Sequence, residues 1–243
     1  MFFDDHPEFC ETSETASSPH RLNMRHQAMI EANRDVLAGA RVLDLASHDG
    51  RWSYAALEAG AAHVIGVEAR PELVANAEKN FAQFGVDPGR YEFVCGDMFA
   101  VMNERDFAVD VVMCFGFIYH TLRYPDLFRG IKDAHPEHVL LDTRVIRSDR
   151  PLVELRVNKT GVQSNAARDA VSHRNKAITG WPSVPALEMI LDVYDFEVAE
   201  HYDWASLLAA HPDIPAPAVK DYREGTRVSM RCRKVTRRKR PQG

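Results

Sequence analysis

The chain has 243 residues, 45% of them hydrophobic and 27% charged, with a formal charge of −5 at pH 7. That balance suits one soluble domain with a full core. The longest apolar run, "VVMCFGFIY" at 111–119, falls well short of the roughly 20 residues that cross a bilayer. Four scattered cysteines, none paired as Cys-x-x-Cys, exclude a zinc knuckle or disulfide framework and fit a reducing compartment. The acidic opening "MFFDDHPEFCETSE" has no apolar signal-peptide core, so a cytoplasmic location is expected.

Charge is unevenly placed. From Arg227 onward there are eight Lys or Arg and no acid, which leaves 22 basic against 35 acidic residues upstream. The body is therefore acidic, which speaks against a broad nucleic-acid face. The basic tail, 236–243, reads as a solvated end.

Taken in chain order, residues 1–20 read as loosely structured, and helical spacing of apolar residues predicts a helix over 20–38. Short apolar runs then predict strands at 41–46, 62–67, 91–95, 110–115 and 137–142. Helices are predicted between them at 51–59, 71–84 and 124–133, with Pro71 and Pro125 in first turns. The alternation breaks at 143–182, a polar stretch read as an insertion after the fifth strand. A helix at 183–194 and a strand at 196–202 follow. A proline-containing loop spans 203–225, and a last strand, expected antiparallel, spans 226–235. The fold class is thus α/β: a doubly wound, mostly parallel seven-stranded sheet with helices on both faces. One domain is expected. Its parts are an N-terminal segment (1–38), a cofactor-binding core (39–142), an acceptor-side insertion (143–182), a C-terminal core (183–235) and the tail.

In such a sheet ligands bind beyond the carboxyl ends of the strands, where strand order reverses. The first tip, "DLASHDG", offers Asp44 and a small-residue turn ending on Gly50 at a helix N-terminus. The second offers Glu68, placed to grip ribose hydroxyls. At the third, Asp97 can accept from an adenine amino group or cap the following turn, with Met98 packing on the ring. At the fourth, Phe115 can cover an adenosine, and Tyr119 and His120 follow at the reaction centre. The fifth offers Asp142 and Arg144.

These stretches, "VLDLASHDG", "HVIGVEA", "CGDMF" and "VVMCFGFIYHTLRYPDLFRGI", resemble the class I S-adenosylmethionine-dependent methyltransferases. "GFIYHTLRYP" is similar to the branch holding wobble-uridine carboxymethyl-transfer enzymes and small-molecule O-methyltransferases. The family's first loop reads Asp-x-Gly-x-Gly-x-Gly; here Ala46 and His48 stand at two glycine positions. The resemblance implies S-adenosylmethionine as donor and S-adenosylhomocysteine as product. It places Asp44, Ala46, His48 and Gly50 along the methionine part, Glu68 on the ribose, and Asp97 and Met98 on the adenine. Arg25 would pair with the methionine carboxylate, with Arg21 and Arg34 as competitors.

An alcohol acceptor needs a base as the bond forms. His120, with an ordinary pKa near ~6.5, is the first candidate and Tyr119 the second. The fourth tip carries no Asp, so no metal site is expected there; a divalent ion on Asp142 with insertion residues is the remaining possibility. The insertion's Arg144, Arg156, Asn158, Gln163, Asn165 and Trp181 suit a hydroxyl-rich acceptor such as a saccharide. Expected is an O-methyltransferase of a saccharide or polar metabolite. The alternatives are a tRNA-modifying methyl or carboxymethyl transferase and a non-catalytic protein that binds the cofactor. A homodimer is the base-rate expectation.

Overall fold

The computed structural model describes residues 1–15, 18–162 and 172–236. Nine strands are present among the described residues: β1 (Arg41–Leu45), β2 (His63–Glu68), β3 (Tyr91–Cys95), β4 (Val111–Phe115), β5 (His138–Arg144), β6 (Val153–Lys159), β7 (Lys176–Pro182), β8 (Phe196–His201) and β9 (Arg227–Lys234). Ten α-helices accompany them among the described residues: α1 (Glu8–Glu11), α2 (Pro19–Met29), α3 (Arg34–Leu37), α4 (Arg51–Glu58), α5 (Pro71–Gln83), α6 (Met98–Glu104), α7 (Tyr124–Asp133), α8 (Val184–Val193), α9 (Trp204–Ala210) and α10 (Lys220–Arg223).

Seven strands form one sheet in the order β3-β2-β1-β4-β5-β9-β8. The first five are mutually parallel, and β9 runs antiparallel to both β5 and β8. Alternate strand residues enter opposite cores, as the period of two requires. Val42, Val64, Val111, Met113 and Leu140 join Phe3, Phe9, Trp52, Tyr54 and Phe81 on one face. Leu43, Ile65, Val67, Val112 and Leu141 join Met98, Leu127, Phe128, Leu187 and Leu191 on the other. The strands are apolar on both sides because both sides are covered, which is the doubly wound architecture read from the sequence. Strand order reverses between β1 and β4, so the ligand crevice lies at their carboxyl ends.

Four expectations are corrected. Residues 1–15 are not loose: Phe3 and Phe9 are fully buried and α1 forms. The helix expected over 20–38 stops at Met29, where the Asn33 side chain takes the Met29 carbonyl and the chain turns through Glu31–Asn33 into α3. The expected loop 203–225 holds α9 and α10, with Trp204 and Tyr222 stacked at 3.5 Å. The insertion is a two-stranded hairpin, β6 with β7, outside the main sheet. Its alternation escapes a reading of buried runs because Leu155 and Val157 face outward, each 64% exposed. Residues 237–243 of the basic tail and Gln163 and Asn165 lie outside the described residues.

Candidate functional site at the strand tips

The β1–α4 turn is unusual in its backbone. Ala46 (φ 58°), His48 (φ 56°) and Gly50 (φ 79°) all lie in the left-handed region. The two positions where the resembled family carries glycine thus keep a glycine conformation under other side chains, at about 1–2 kcal/mol each. The turn is braced elsewhere. Asp49, fully buried, accepts from Arg51 Nε at 2.7 Å and from Thr12 Oγ1 at 2.8 Å, and His48 Nδ1 lies 3.1 Å away. Burial opposes its charge, but Arg51 and His48 hold Asp49 well below the usual carboxylate range.

Glu68 at the tip of β2 ties this turn to the next one. One carboxylate oxygen accepts the His48 N–H at 3.1 Å and the other the Arg70 N–H at 3.0 Å. Arg70 in turn reaches Glu14 at 2.5 Å, so the N-terminal segment lies across this edge. Asp44 is buried and accepts from Ser53 Oγ at 2.7 Å. Burial pushes its pKa up to about 7, the Ser53 hydrogen bond notwithstanding, and neighbouring Glu68 and Asp49 add to the rise. At β3, Asp97 caps α6: its Oδ1 accepts from Phe99 and Ala100 N–H at 2.9 and 3.2 Å. The capping reading of Asp97 therefore holds for that oxygen, while Met98 is buried beside it.

The carboxyl end of β5 carries a buried network with no local signature in the sequence. Asp142 Oδ1 accepts from Arg227 Nε at 2.7 Å and Arg25 Nη2 at 3.0 Å; Oδ2 accepts from the Tyr222 and Ser229 hydroxyls, both at 2.7 Å. Arg21 pairs in a fork with Asp221 at 2.7 and 2.8 Å. Asp142, expected against an acceptor or a metal ion, is fully buried with its oxygens already taken, so it anchors the arginines instead. Among the described residues no group of three His, Cys, Asp or Glu could hold a metal ion. Of the three competing N-terminal arginines, Arg34 pairs with Glu31 and Arg21 with Asp221. Only Arg25 faces the crevice, over the Trp52 ring at 5.0 Å.

Tyr119 and His120 sit in a 3₁₀ turn after β4, with ring centroids 4.2 Å apart. His120 Nδ1 lies 3.5 Å from Asn158 of β6, and the Tyr119 hydroxyl 3.5 Å from Arg227. Trp181 of β7 meets Tyr119 edge-on at 6.2 Å, Arg156 lies 3.9 Å over the Trp181 ring, and Arg144 lies 5.2 Å over it. The hairpin thus brings Asn158 and Trp181 to Tyr119 and His120, beside Arg144 at the end of β5. The ordinary His120 pKa expected from the sequence does not hold. Burial, with Arg227, Arg144 and Arg70 nearby, lowers it to about 4. Burial alone would raise the Tyr119 pKa, but Arg227, Arg144 and Arg25 lower it overall.

Three buried polar atoms in this crevice have no partner: Arg25 Nε, Ser47 Oγ and His48 Nε2. Such atoms are costly unless something satisfies them. Ser47 and His48 belong to the β1–α4 turn, and Arg25 lies over the ring of Trp52 in α4, which meets Phe115 edge-on at 5.9 Å.

Residues 42–136 match the family model described as a methyltransferase domain. Those residues form a methyltransferase domain. Its match covers β1 to the end of α7, the half of the sheet that carries the first four tips. The chain is 45% identical over 64 residues to a 23S rRNA (uracil(1939)-C(5))-methyltransferase of Shewanella amazonensis; the match is 26% of this chain and 14% of that relative's length. In fold it resembles an S-adenosylmethionine-dependent methyltransferase from Mesorhizobium loti, with a TM-score of 0.57, 15% identity, and 85% of this chain and 98% of that one covered. It also resembles the N-terminal domain of EvdMO1 solved with S-adenosylhomocysteine, with a TM-score of 0.56, 18% identity, and 90% and 82% covered. The unpartnered Arg25, Ser47 and His48 atoms and the Glu68 carboxylate would suit a ligand that carries a carboxylate and hydroxyl groups, as S-adenosylmethionine does. No helix among the described residues is long and apolar enough to cross a membrane.

Proposed function

We propose that the chain transfers the methyl group of S-adenosylmethionine to a hydroxyl of a small polar acceptor of saccharide type. The observation that carries the reading is the face formed by Tyr119, His120, Asn158, Arg144 and Trp181, set beside the cofactor tips by the β6–β7 hairpin. An aromatic platform edged by hydrogen-bonding groups is how proteins take hydroxyl-rich ligands. A structure of the EvdMO1 N-terminal domain obtained with S-adenosylhomocysteine and D-fucose supports the same class of acceptor.

When bound, the cofactor supplies an activated methyl on a sulfonium. The chain's residues then hold the parts. Glu68 holds the ribose and Arg25 Nε the methionine carboxylate, Met98 and Phe115 pack on the adenosine, and the Trp181 face orients the acceptor. Alignment of this kind supplies about 7–11 kcal/mol of a barrier. As the new O–C bond forms and the S–C bond breaks, the hydroxyl proton must leave. A pKa of about 4 makes His120 a poor acceptor. Tyr119, whose pKa Arg227 and Arg144 lower, takes that proton in its phenolate form and becomes the phenol, and His120 stays neutral and orients the acceptor through its second nitrogen. This order reverses the one expected from the sequence, and the causes are the burial of His120 and the arginines that distant elements set beside both residues.

The test has two stages. S-adenosylhomocysteine at 100 times its dissociation constant should stabilise the fold by about 2.7 kcal/mol, and the gain should shrink in Glu68→Ala. Labelled donor is then offered with sugars, and Tyr119→Phe and His120→Ala are compared across pH. Loss of turnover in the first and a smaller loss in the second is the expected result. Binding of the cofactor with no turnover on any acceptor would favour the non-catalytic alternative. The short similarity to an rRNA methyltransferase favours RNA modification as a second reading. Affinity for tRNA that falls steeply with salt would support it, and indifference to tRNA would remove it. The outward apolar face of the hairpin, with Leu155, Val157 and Ile178 all more than half exposed, supports the homodimer expectation. Light scattering of Leu155→Glu against wild type tests it.

A further inference from the structure

Four guanidinium groups lie together where α2, β5 and β9 meet: Arg25, Arg144 and Arg227, with Arg21 behind them on Asp221. Two carboxylates face them. Asp142 pairs with Arg227 and Arg25, and Asp221 pairs with Arg21 and lies 3.9 Å from Arg227. Arg144 has no carboxylate partner among the described residues. Its guanidinium lies over the rings of Tyr119 and Trp181, at 5.8 and 5.2 Å. The neighbouring Arg156 is matched by Glu154 at 2.5 Å. The cluster therefore carries two more positive than negative charges, within a chain whose total is −5.

Surplus charge of one sign in a half-buried site is expensive unless a ligand answers it. The donor does not answer it. Its carboxylate meets Arg25, but its ammonium and sulfonium leave the molecule one unit positive. Donor binding thus adds positive charge next to Arg144. What remains for Arg144 is a planar fork within 5.8 Å of both the Tyr119 and Trp181 rings and free of a carboxylate partner among the described residues, a group that takes a carboxylate or phosphate through two parallel hydrogen bonds.

We infer that the acceptor carries an oxyanion, a carboxylate or phosphate, and that Arg144 binds it on the Tyr119–Trp181 platform. This deepens the methyl-transfer reading and rests on it. The acceptor class narrows from polar metabolites to sugar acids, sugar phosphates or comparable organic acids. Neutral sugars are disfavoured because they leave the arginine surplus unanswered.

The test uses the full chain saturated with S-adenosylhomocysteine, with ionic strength held constant by chloride. Acetate, inorganic phosphate and glucose are titrated by calorimetry into wild type, Arg144→Gln and Arg144→Lys. Saturable binding of acetate or phosphate, at least tenfold tighter than glucose, is expected in wild type. Whichever anion binds tighter tells a carboxylate acceptor from a phosphate one. Arg144→Gln should lose at least tenfold in that affinity and keep its affinity for S-adenosylhomocysteine. Arg144→Lys should recover part of the loss. If the cofactor product binds wild type but neither anion saturates, or if the anion affinity survives in Arg144→Gln, the inference is overturned and the donor reading stands. If S-adenosylhomocysteine itself does not bind, the donor reading fails first.

Discussion

Replacing Asp142 by asparagine keeps the shape of the side chain and removes its charge. The two hydroxyls that donate to Oδ2, from Tyr222 and Ser229, can turn to accept from the new amide, so their cost is small. The arginines cannot adapt. Arg227 is 95% buried and Arg25 nearly so, and both would face a neutral oxygen in place of their shared counter-ion. Removing one partner of a buried ion pair costs about 3–5 kcal/mol. For a chain of this size each kcal/mol moves Tm by about 2–4 °C, so Asp142→Asn should melt about 6–20 °C lower at pH 7. The gap should also depend on pH. Burial opposes the Asp142 charge, but Arg227 and Arg25 hold its pKa well below the usual carboxylate range. Below about pH 4 the unfolded wild-type chain takes up a proton at this position before the folded one does. Wild-type stability therefore falls there, the variant has no such group, and the two melting points should converge. Scanning calorimetry at pH 7 and pH 3.5 reads both effects. A variant that melts within 2 °C of wild type at pH 7, or a gap that widens in acid, would refute the account of this network.

Ala46→Gly should raise Tm by about 2–4 °C, since glycine relieves about 1 kcal/mol of left-handed strain at φ 58°; thermal unfolding checks it. Asp44, with its folded pKa raised to about 7 from 3.8 mainly by burial, binds a proton in the fold that the unfolded chain has lost. Its contribution is present below pH 4 and disappears as pH rises through 7, an effect of about 4 kcal/mol that Asp44→Asn should abolish in urea titrations across that window. Phe3→Ala should cost about 3–5 kcal/mol by denaturant unfolding, because Phe3 is fully buried against Phe9 and Trp52.

Much of this protein was legible in the order of its residues. Apolar runs such as "RVLDL" and "VVMCF" are near-continuous because each strand is covered on both faces, so the parallel core could be read without its partners. The acid at the tip of β2 and the small-residue turn after β1 were readable for the same reason: in a doubly wound sheet their places follow from strand order alone. Nothing local marks Arg227 as the partner of Asp142, or Arg21 as the partner of Asp221, across 85 and 200 positions of sequence. The first pair exists because β9 inserts between β5 and β8 and lays its first residue against the tip of β5, and the second because α10 is laid beside α2. The hairpin likewise carries Asn158 and Trp181 to residues near 120, a meeting that no periodicity encodes. The sequence by itself determined the sheet, its ligand edge and the turn and acid at the tips of β1 and β2, since these follow from burial patterns along short segments. Tertiary structure alone decided the charge around Tyr119 and His120, on which the proposed ranking of the two rests. Electrostatic interactions depend on distance through space, and here the charges come from α2, β5 and β9.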